Sequence, residues 1–300
     1  MGEPIKRDPL TLLGELKRRP VGRVLLLCVA TTLGLVAAVQ IPLTLTQRYD
    51  FENPSSRVSL RHRIDEASGL AATDGGRVFT HGDERAVVYE VDPETGAVLK
   101  QFSMGAPVLE GDFEGIAVAG NRFFLINSQG LLLEFKEGVD DESVSFAGVD
   151  TGLGDRCEVE GLAFEPAAQA LVAACKSVPS DDESFIVLYR IRLSDLTVEP
   201  EAIRVPEAGL EAFGLSDHFA PSGVEVDPET GSLILISARQ ESIIEITAEG
   251  RIISGFHLGS NRHPQPEGIS ILPDGTLLLA DERQRGRAHI TTYSRSPRLP

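Results

Sequence analysis

The stretch Gln265-Pro266-Glu267-Gly268-Ile269-Ser270-Ile271-Leu272-Pro273-Asp274-Gly275-Thr276-Leu277-Leu278-Leu279-Ala280-Asp281-Glu282 reads as strand, tight turn, strand. Gly268 to Leu272 is a short apolar run. Pro273-Asp274-Gly275 is turn chemistry, because proline presets φ and glycine accepts positive φ. Thr276 to Ala280 is a second apolar strand, with an acidic exit at Asp281 and Glu282. The opening Glu267-Gly268 pair has counterparts upstream: Ser68-Gly69, Glu114-Gly115, Glu160-Gly161 and Ser222-Gly223. The five glycines stand 46, 46, 62 and 45 residues apart. A period in the forties, with about four short strands per unit, is the signature of a β-propeller blade.

The same strand and turn signals recur in every unit. Asp92-Pro93-Glu94-Thr95-Gly96 and Asp227-Pro228-Glu229-Thr230-Gly231 sit between strands and lack the ligand spacing of a calcium loop, so they read as hairpin turns. The long interval holds an insertion at about residues 207–220. Repeat two is expected to end on an outer strand over 143–148. The fifth repeat runs out of sequence after three strands, while 57–64 alternates apolar and polar residues with no unit of its own. The prediction is an all-β, five-bladed β-propeller whose N-terminal strand completes the last blade and removes the exposed edges.

Upstream, Val24 to Leu45 is 22 residues without a charge, about 33 Å as a helix and long enough to cross a bilayer. The first 23 residues carry six Lys/Arg against three Asp/Glu. Lys17, Arg18, Arg19 and Arg23 precede the apolar run and Arg48 alone follows it, which places the N-terminus in the cytoplasm and the repeats outside. A cleaved signal peptide is the rival reading, with Val36-Ala37-Ala38 as its cleavage site. The expected organisation is a cytoplasmic segment (1–23), a transmembrane helix (24–45), a linker (46–56), the propeller (57–295) and a tail (296–300). The expected location is single-pass in the cell inner membrane, with the propeller periplasmic or extracellular. Cys157 and Cys175 fall at the same end of adjacent strands; an oxidising compartment would allow a disulfide, the alternative being two buried thiols.

The net charge of −17 repels phosphate backbones and excludes nucleic acid as a partner. The first strand of each blade lines the central channel, so Ser68, Glu114, Glu160, Ser222 and Glu267 are expected on one rim. Glu66, Asp112, Glu158, Ala220 and Gln265 stand two residues earlier on the same strand faces. The second strands end at the same mouth with His81, Asp83, Asn127, Lys176, Arg239, Asp281 and Glu282. Converging glutamates repel, and a hard cation relieves them. Calcium, taking six to eight oxygens, suits such a site better than magnesium or zinc. Glu114, Glu160 and Glu267 are the expected calcium ligands, supported by Asp112, Glu158, Asn127 and Glu282. The competing reading makes each glutamate a clasp on the backbone of the neighbouring blade. No G-x-S-x-G elbow, H-E-x-x-H motif or P-loop is present. Ser68 and Ser222 read as small residues in a crowded ring, and His81 as a structural histidine that is the one candidate base at the mouth.

The run Gly111-Asp112-Phe113-Glu114-Gly115-Ile116, the S-G-[LV] and E-G-[IL] motifs, and Gln265 to Glu282 together resemble the SdiA-regulated (YjiK-like) family over about residues 57–295. An N-terminal membrane segment before the propeller is also similar. The resemblance implies a five-bladed propeller distantly akin to NHL-repeat proteins, with a calcium site among Glu114, Glu160 and Glu267 and a hydrolase role. Where that family carries acidic strand exits, this chain has Asn127-Ser128, Lys176-Ser177 and Ala238-Arg239. The functional expectation is a membrane-anchored calcium propeller that hydrolyses a phosphate ester, ester or lactone. The alternative is a noncatalytic propeller that binds a small-molecule or protein ligand, with structural calcium or no metal.

Overall fold

The computed structural model describes residues 43–61, 64, 66–179, 184–216, 218–282 and 287–296. Blade one is built from Gly69–Ala72, Val78–His81, Val87–Val91 and Val98–Met104. Blade two comprises Phe113–Ala119, Arg122–Asn127, Leu131–Phe135 and Phe146–Asp150; blade three, Glu158–Glu165, Ala170–Ser177, Phe185–Arg192 and Ile203–Pro206. Blade four has Gly223–Val226, Leu233–Ser237, Ser242–Ile246 and Ile252–His257. Blade five takes Pro266–Ile271, Leu277–Asp281 and His289–Tyr293, and its outer strand is the N-terminal Ser56–Ser59, antiparallel to His289–Tyr293. The five-bladed ring and its closure by the N-terminal strand are as expected. That strand is shorter than expected, and the chain beyond it turns inward to bury Leu60 and Ile64.

The second strands of blades two to five carry apolar runs because both their faces are largely buried. In Arg122–Asn127, Phe123 and Leu125 join the cluster shared with blade one, and Phe124 and Ile126 the cluster shared with blade three. Alternation thus feeds two interfaces from one strand. The buried apolar residues fall into five clusters, one per blade-to-blade interface. The insertion after blade three forms a 3-10 helix, Glu207–Phe213. Both acidic pentapeptides are turns: Asp92 Oδ1 accepts from the Glu94 amide (2.9 Å) and Asp227 Oδ1 from the Glu229 amide (2.8 Å). Cys157 and Cys175 form a disulfide.

Two expectations are corrected. The outer strand expected over 143–148 divides: Glu142–Val144 crosses to pair in parallel with Val98–Met104 of blade one, and only Phe146–Asp150 stays in blade two. The stretch expected as a linker, 46–56, is packed into the propeller. Leu45–Arg48 is one helical turn, and Leu45, Tyr49 and Phe51 are buried in the cluster between blades four and five. Arg48, read from sequence as a flank of the membrane span, is 1% exposed. Its guanidinium lies 2.7 Å from Glu245 Oε1 and 3.2 Å from Asp227 Oδ2. Burying a carboxylate pair needs a cation, and this one comes from outside the repeats. No helix among the described residues is long and apolar enough to cross a membrane. Most of the expected span Val24–Leu45 lies outside the described residues.

The repeated glycines have a packing reason. A Cβ on Gly115 would stand 2.6 Å from the Leu162 amide nitrogen and 2.8 Å from the Gly161 carbonyl carbon. One on Gly223 would stand 2.7 Å from the Glu267 carbonyl oxygen. The inner strands of neighbouring blades therefore approach backbone to backbone. Substituting Gly115→Ala should destabilise the chain by about 1–3 kcal/mol, read from urea unfolding; an unchanged midpoint would refute the close approach. Arg48→Ala, which leaves Glu245 and Asp227 buried without a cation, should cost about 3–5 kcal/mol in the same measurement. A loss within experimental error would make the N-terminal segment peripheral.

Candidate functional site: an acidic channel mouth

The close approach of the inner strands sets the geometry of the channel. At the glycine level the cavity is only ≈ 10 Å³, bounded by Ser68, Glu114 and Glu267 among others, about the room needed for one water. The residue before each glycine is thereby forced onto one rim. The register places second-strand ends at the same mouth: Gly69 opposite His81, Phe113 opposite Asn127, Glu158 opposite Ser177, and Pro266 opposite Asp281.

Glu114 and Glu267 meet there. Burial, and next the neighbouring Glu160 and Asp112 charges, push the Glu114 carboxyl up to about 9. Burial and the Glu282 carboxylate push Glu267 up to about 8, against a hydrogen bond from Gln265. Glu66 is raised to about 7, chiefly by its hydrogen bond to the Asp83 carboxyl and then by burial. Each of these three glutamates has a second carboxyl beside it: Asp112 for Glu114, Glu282 for Glu267 and Asp83 for Glu66. Like charges at such range repel, so each glutamate holds its proton more tightly. Asp83 Oδ1 is buried without a hydrogen-bond partner.

Glu160 is neutralised differently. Its carboxylate receives the Lys176 ammonium in a short hydrogen bond. Burial pushes the Glu160 carboxyl upward and Lys176 counters it. Glu158, at the outer edge, accepts from Ser177 Oγ at 3.0 Å and lies 3.8 Å from Lys176 Nζ. Of the expected supporting residues, Asp112 and Glu282 join the cluster. Asn127 does not contribute its oxygen: Oδ1 accepts from the Leu131 amide (2.7 Å) and the Gln129 amide (3.1 Å) in its own turn. Among the described residues, no three His, Cys, Asp or Glu side chains stand in metal-ligating geometry.

Among the described residues, Ser222 and His81 are engaged elsewhere and do not form a nucleophile–base pair. Ser222 is a clasp: its Oγ donates to the Pro266 carbonyl of blade five at 2.6 Å and accepts from the Ala238 amide at 2.9 Å. His81 is fully buried, and burial pushes its pKa down to about 4. Its Nδ1 donates to the Gly82 carbonyl (3.0 Å). Asp281, expected at the mouth, is also buried; it holds His263 Nδ1 at 2.8 Å, and His263 Nε2 meets Tyr293 Oη at 2.6 Å. This triad pins the loop that delivers Gln265 and Glu267. Sequence reading missed it because His263 falls outside the repeated motif; its one signal is a histidine in a loop just ahead of an acidic rim residue. Beside Lys176 opens a cleft of ≈ 450 Å³ with Phe185, Phe219 and Arg239 in its walls.

The raised carboxyls fix the sign of a pH effect. The folded chain keeps protons on Glu114, Glu267 and Glu66 that the unfolded chain has lost above the ordinary value of 4.5. The folded state binds more protons, so stability falls as pH rises. In chelator, the melting temperature should drop progressively from pH 5 to pH 9, and Glu114→Gln should flatten that slope. A slope unchanged in Glu114→Gln would contradict the protonated cluster.

A protein-family model described as SdiA-regulated matches residues 60–285. No curated protein matches the chain in sequence. Among solved structures, Myxococcus xanthus glutaminyl cyclase superposes with a TM-score of 0.56 at 14% identity, covering 82% of this chain and 97% of that one. The PQQ-bound aldose sugar dehydrogenase of Streptomyces coelicolor gives a TM-score of 0.50 at 13% identity, covering 81% of this chain and 98% of that one. At such identities the likeness is one of fold alone. With the motif glycines, the rim glutamates and most of the propeller inside the matched span, this chain belongs to the SdiA-regulated family.

Proposed function

We propose that the chain is a membrane-anchored, extracytoplasmic propeller that binds calcium at its acidic mouth and takes an anionic ester in the cleft beside it. The observation that carries this reading is the burial of Glu114 and Glu267 beside second carboxyls; burial first, and then those charges, raise both well above the ordinary carboxylate range. A divalent cation replaces the retained protons and removes the repulsion. The donors suit a hard ion, being oxygen throughout: Glu114, Glu267, Asp112 and Glu282, with the unpartnered Asp83 Oδ1 nearby. Glu160 is committed to Lys176 and joins only if that pair opens. Calcium, when bound, supplies a Lewis acid and lowers the pKa of a bound water. Lys176 and Arg239 give the cleft its positive side, suited to a phosphate ester, or to an ester or lactone carrying an anionic group.

A noncatalytic binding propeller is the second reading, favoured by the burial of His81 and the clasp role of Ser222. The second reading takes structural calcium or no metal, and the two part at turnover.

Calorimetry on the chelator-treated chain should show saturable calcium binding, weakened at least about tenfold in Glu114→Gln and Glu267→Gln, the loss of one charged ligand interaction. Lys176→Met, by releasing Glu160, should tighten it. Absence of binding in the wild type would overturn the proposal and leave the protonated clasp. Calcium-dependent release of nitrophenol from nitrophenyl phosphate or nitrophenyl acetate would select the hydrolase. Calcium binding without turnover of either ester or of a simple lactone would select the binding module.

A further inference from the structure

The channel has a second mouth, at the opposite end of the inner strands, and its chemistry is unlike the first. All five blades contribute to a bowl of ≈ 320 Å³ there, within the size range of small-molecule pockets. Leu70, Ile116 and Leu162 line both its floor and the closed waist, so the bowl is a blind cavity sealed from the acidic mouth. Its walls combine apolar side chains, among them Val118, Phe164, Val226 and Ile271, with polar surface that includes Thr73 and Glu225. Among the described residues the lining holds no Lys, Arg or His, and its ionisable side chains are Glu225 in the wall and Asp74, which is exposed.

Glu225 is fixed in place. Its Oε1 accepts from the Val226 amide at 2.8 Å, and its Oε2 accepts from Ser270 Oγ at 2.8 Å and the Ile271 amide at 3.3 Å. The last two donors belong to blade five, so the carboxylate is held from two blades. A carboxylate offers about four acceptor positions; three donors leave one for a ligand. Burial pushes this carboxyl up to about 7, against the donors, which pull it down. A rigid carboxylate set beside apolar side chains, with no basic side chain among the described lining residues, is complementary to an ammonium group on a short apolar body.

We infer that this second mouth is a binding site for a small amphipathic amine, its ammonium on Glu225 and its hydrocarbon in the bowl. The site is independent of the calcium proposal, since the two mouths share no carboxylate and a closed waist lies between them.

The test is calorimetric titration of the full chain with n-hexylamine, n-hexanol and hexanoate, probes matched in chain length and differing in head group. Hexylamine should bind saturably and more tightly than either of the others. Glu225→Gln should weaken hexylamine at least about tenfold, the loss of one charge-assisted hydrogen bond, and leave hexanol unchanged. Ala72→Phe, which fills the bowl from blade one without touching Glu225, should abolish hexylamine binding and serves where Glu225→Gln fails to fold. Glu114→Gln and added calcium should leave hexylamine affinity unchanged, which places the amine at this mouth and not at the acidic one. The inference is overturned if hexylamine does not bind, if hexanol or hexanoate binds as well, if Ala72→Phe still binds it, or if calcium competes with it.

Discussion

Everything else in this molecule depends on how closely the five inner strands approach. At Gly115, Gly223 and Gly268 a single added carbon would fall within 3 Å of a neighbouring blade. Side chains cannot fill the axis at that level, so the backbones fill it themselves and close the channel. The closure divides the channel into two mouths of opposite character. On one side the residues before the glycines are crowded onto a rim; on the other the inner strands leave a bowl in which Glu225 stands beside apolar side chains.

Crowding converts an ordinary composition into unusual electrostatics. Three glutamates and their acidic neighbours cannot all ionise in a space shielded from water. The molecule relieves the strain in two ways at one rim. Glu160 has a lysine, delivered from the end of the adjacent strand. Glu114 and Glu267 have no such cation; burial and the neighbouring carboxyls raise both far above the usual range, against a hydrogen bond from Gln265 to Glu267. Ser68 and Ser222 occupy the other two rim positions. A serine there adds no charge, and Ser222 bridges blades four and five instead. The distribution of serine and glutamate thus decides which part of the rim is a clasp and which part gathers carboxyls.

The blade repeat was legible because it rests on spacing and on glycines whose role is steric, and steric constraints repeat with the fold. The closing strand was legible by subtraction, since blade five lacked an outer strand and Ser56–Ser59 had no blade. The N-terminal packing was not. Leu45 looks the same to a bilayer and to a protein core, and a single arginine after an apolar run looks like a membrane flank. Its partners, Asp227 and Glu245, lie about 180–200 positions away in sequence, beyond any local pattern. Asn127 was misread for a related reason: its position marks the strand end correctly, but its side chain serves the turn that follows. Asp281 was placed at the mouth by the return of the second strand, and its position is there, but its side chain is buried against His263, a contact that residue type alone does not announce. Glu225 drew no notice, because one acid inside a strand reads as its polar face; only the convergence of five blades puts it in a cavity wall.

The account holds that the acidic mouth stores protons which a cation displaces. Calcium titrations in buffers of different ionisation enthalpy measure the protons released per ion bound, since metal binding to protonated ligands must expel them. At pH 7, below the raised Glu114 and Glu267 values of about 9 and 8, binding should release at least one proton per calcium, and fewer in Glu114→Gln. Calcium binding with no proton release at that pH would contradict the account, because the ion would then be held by carboxylates already ionised or by groups elsewhere on the chain.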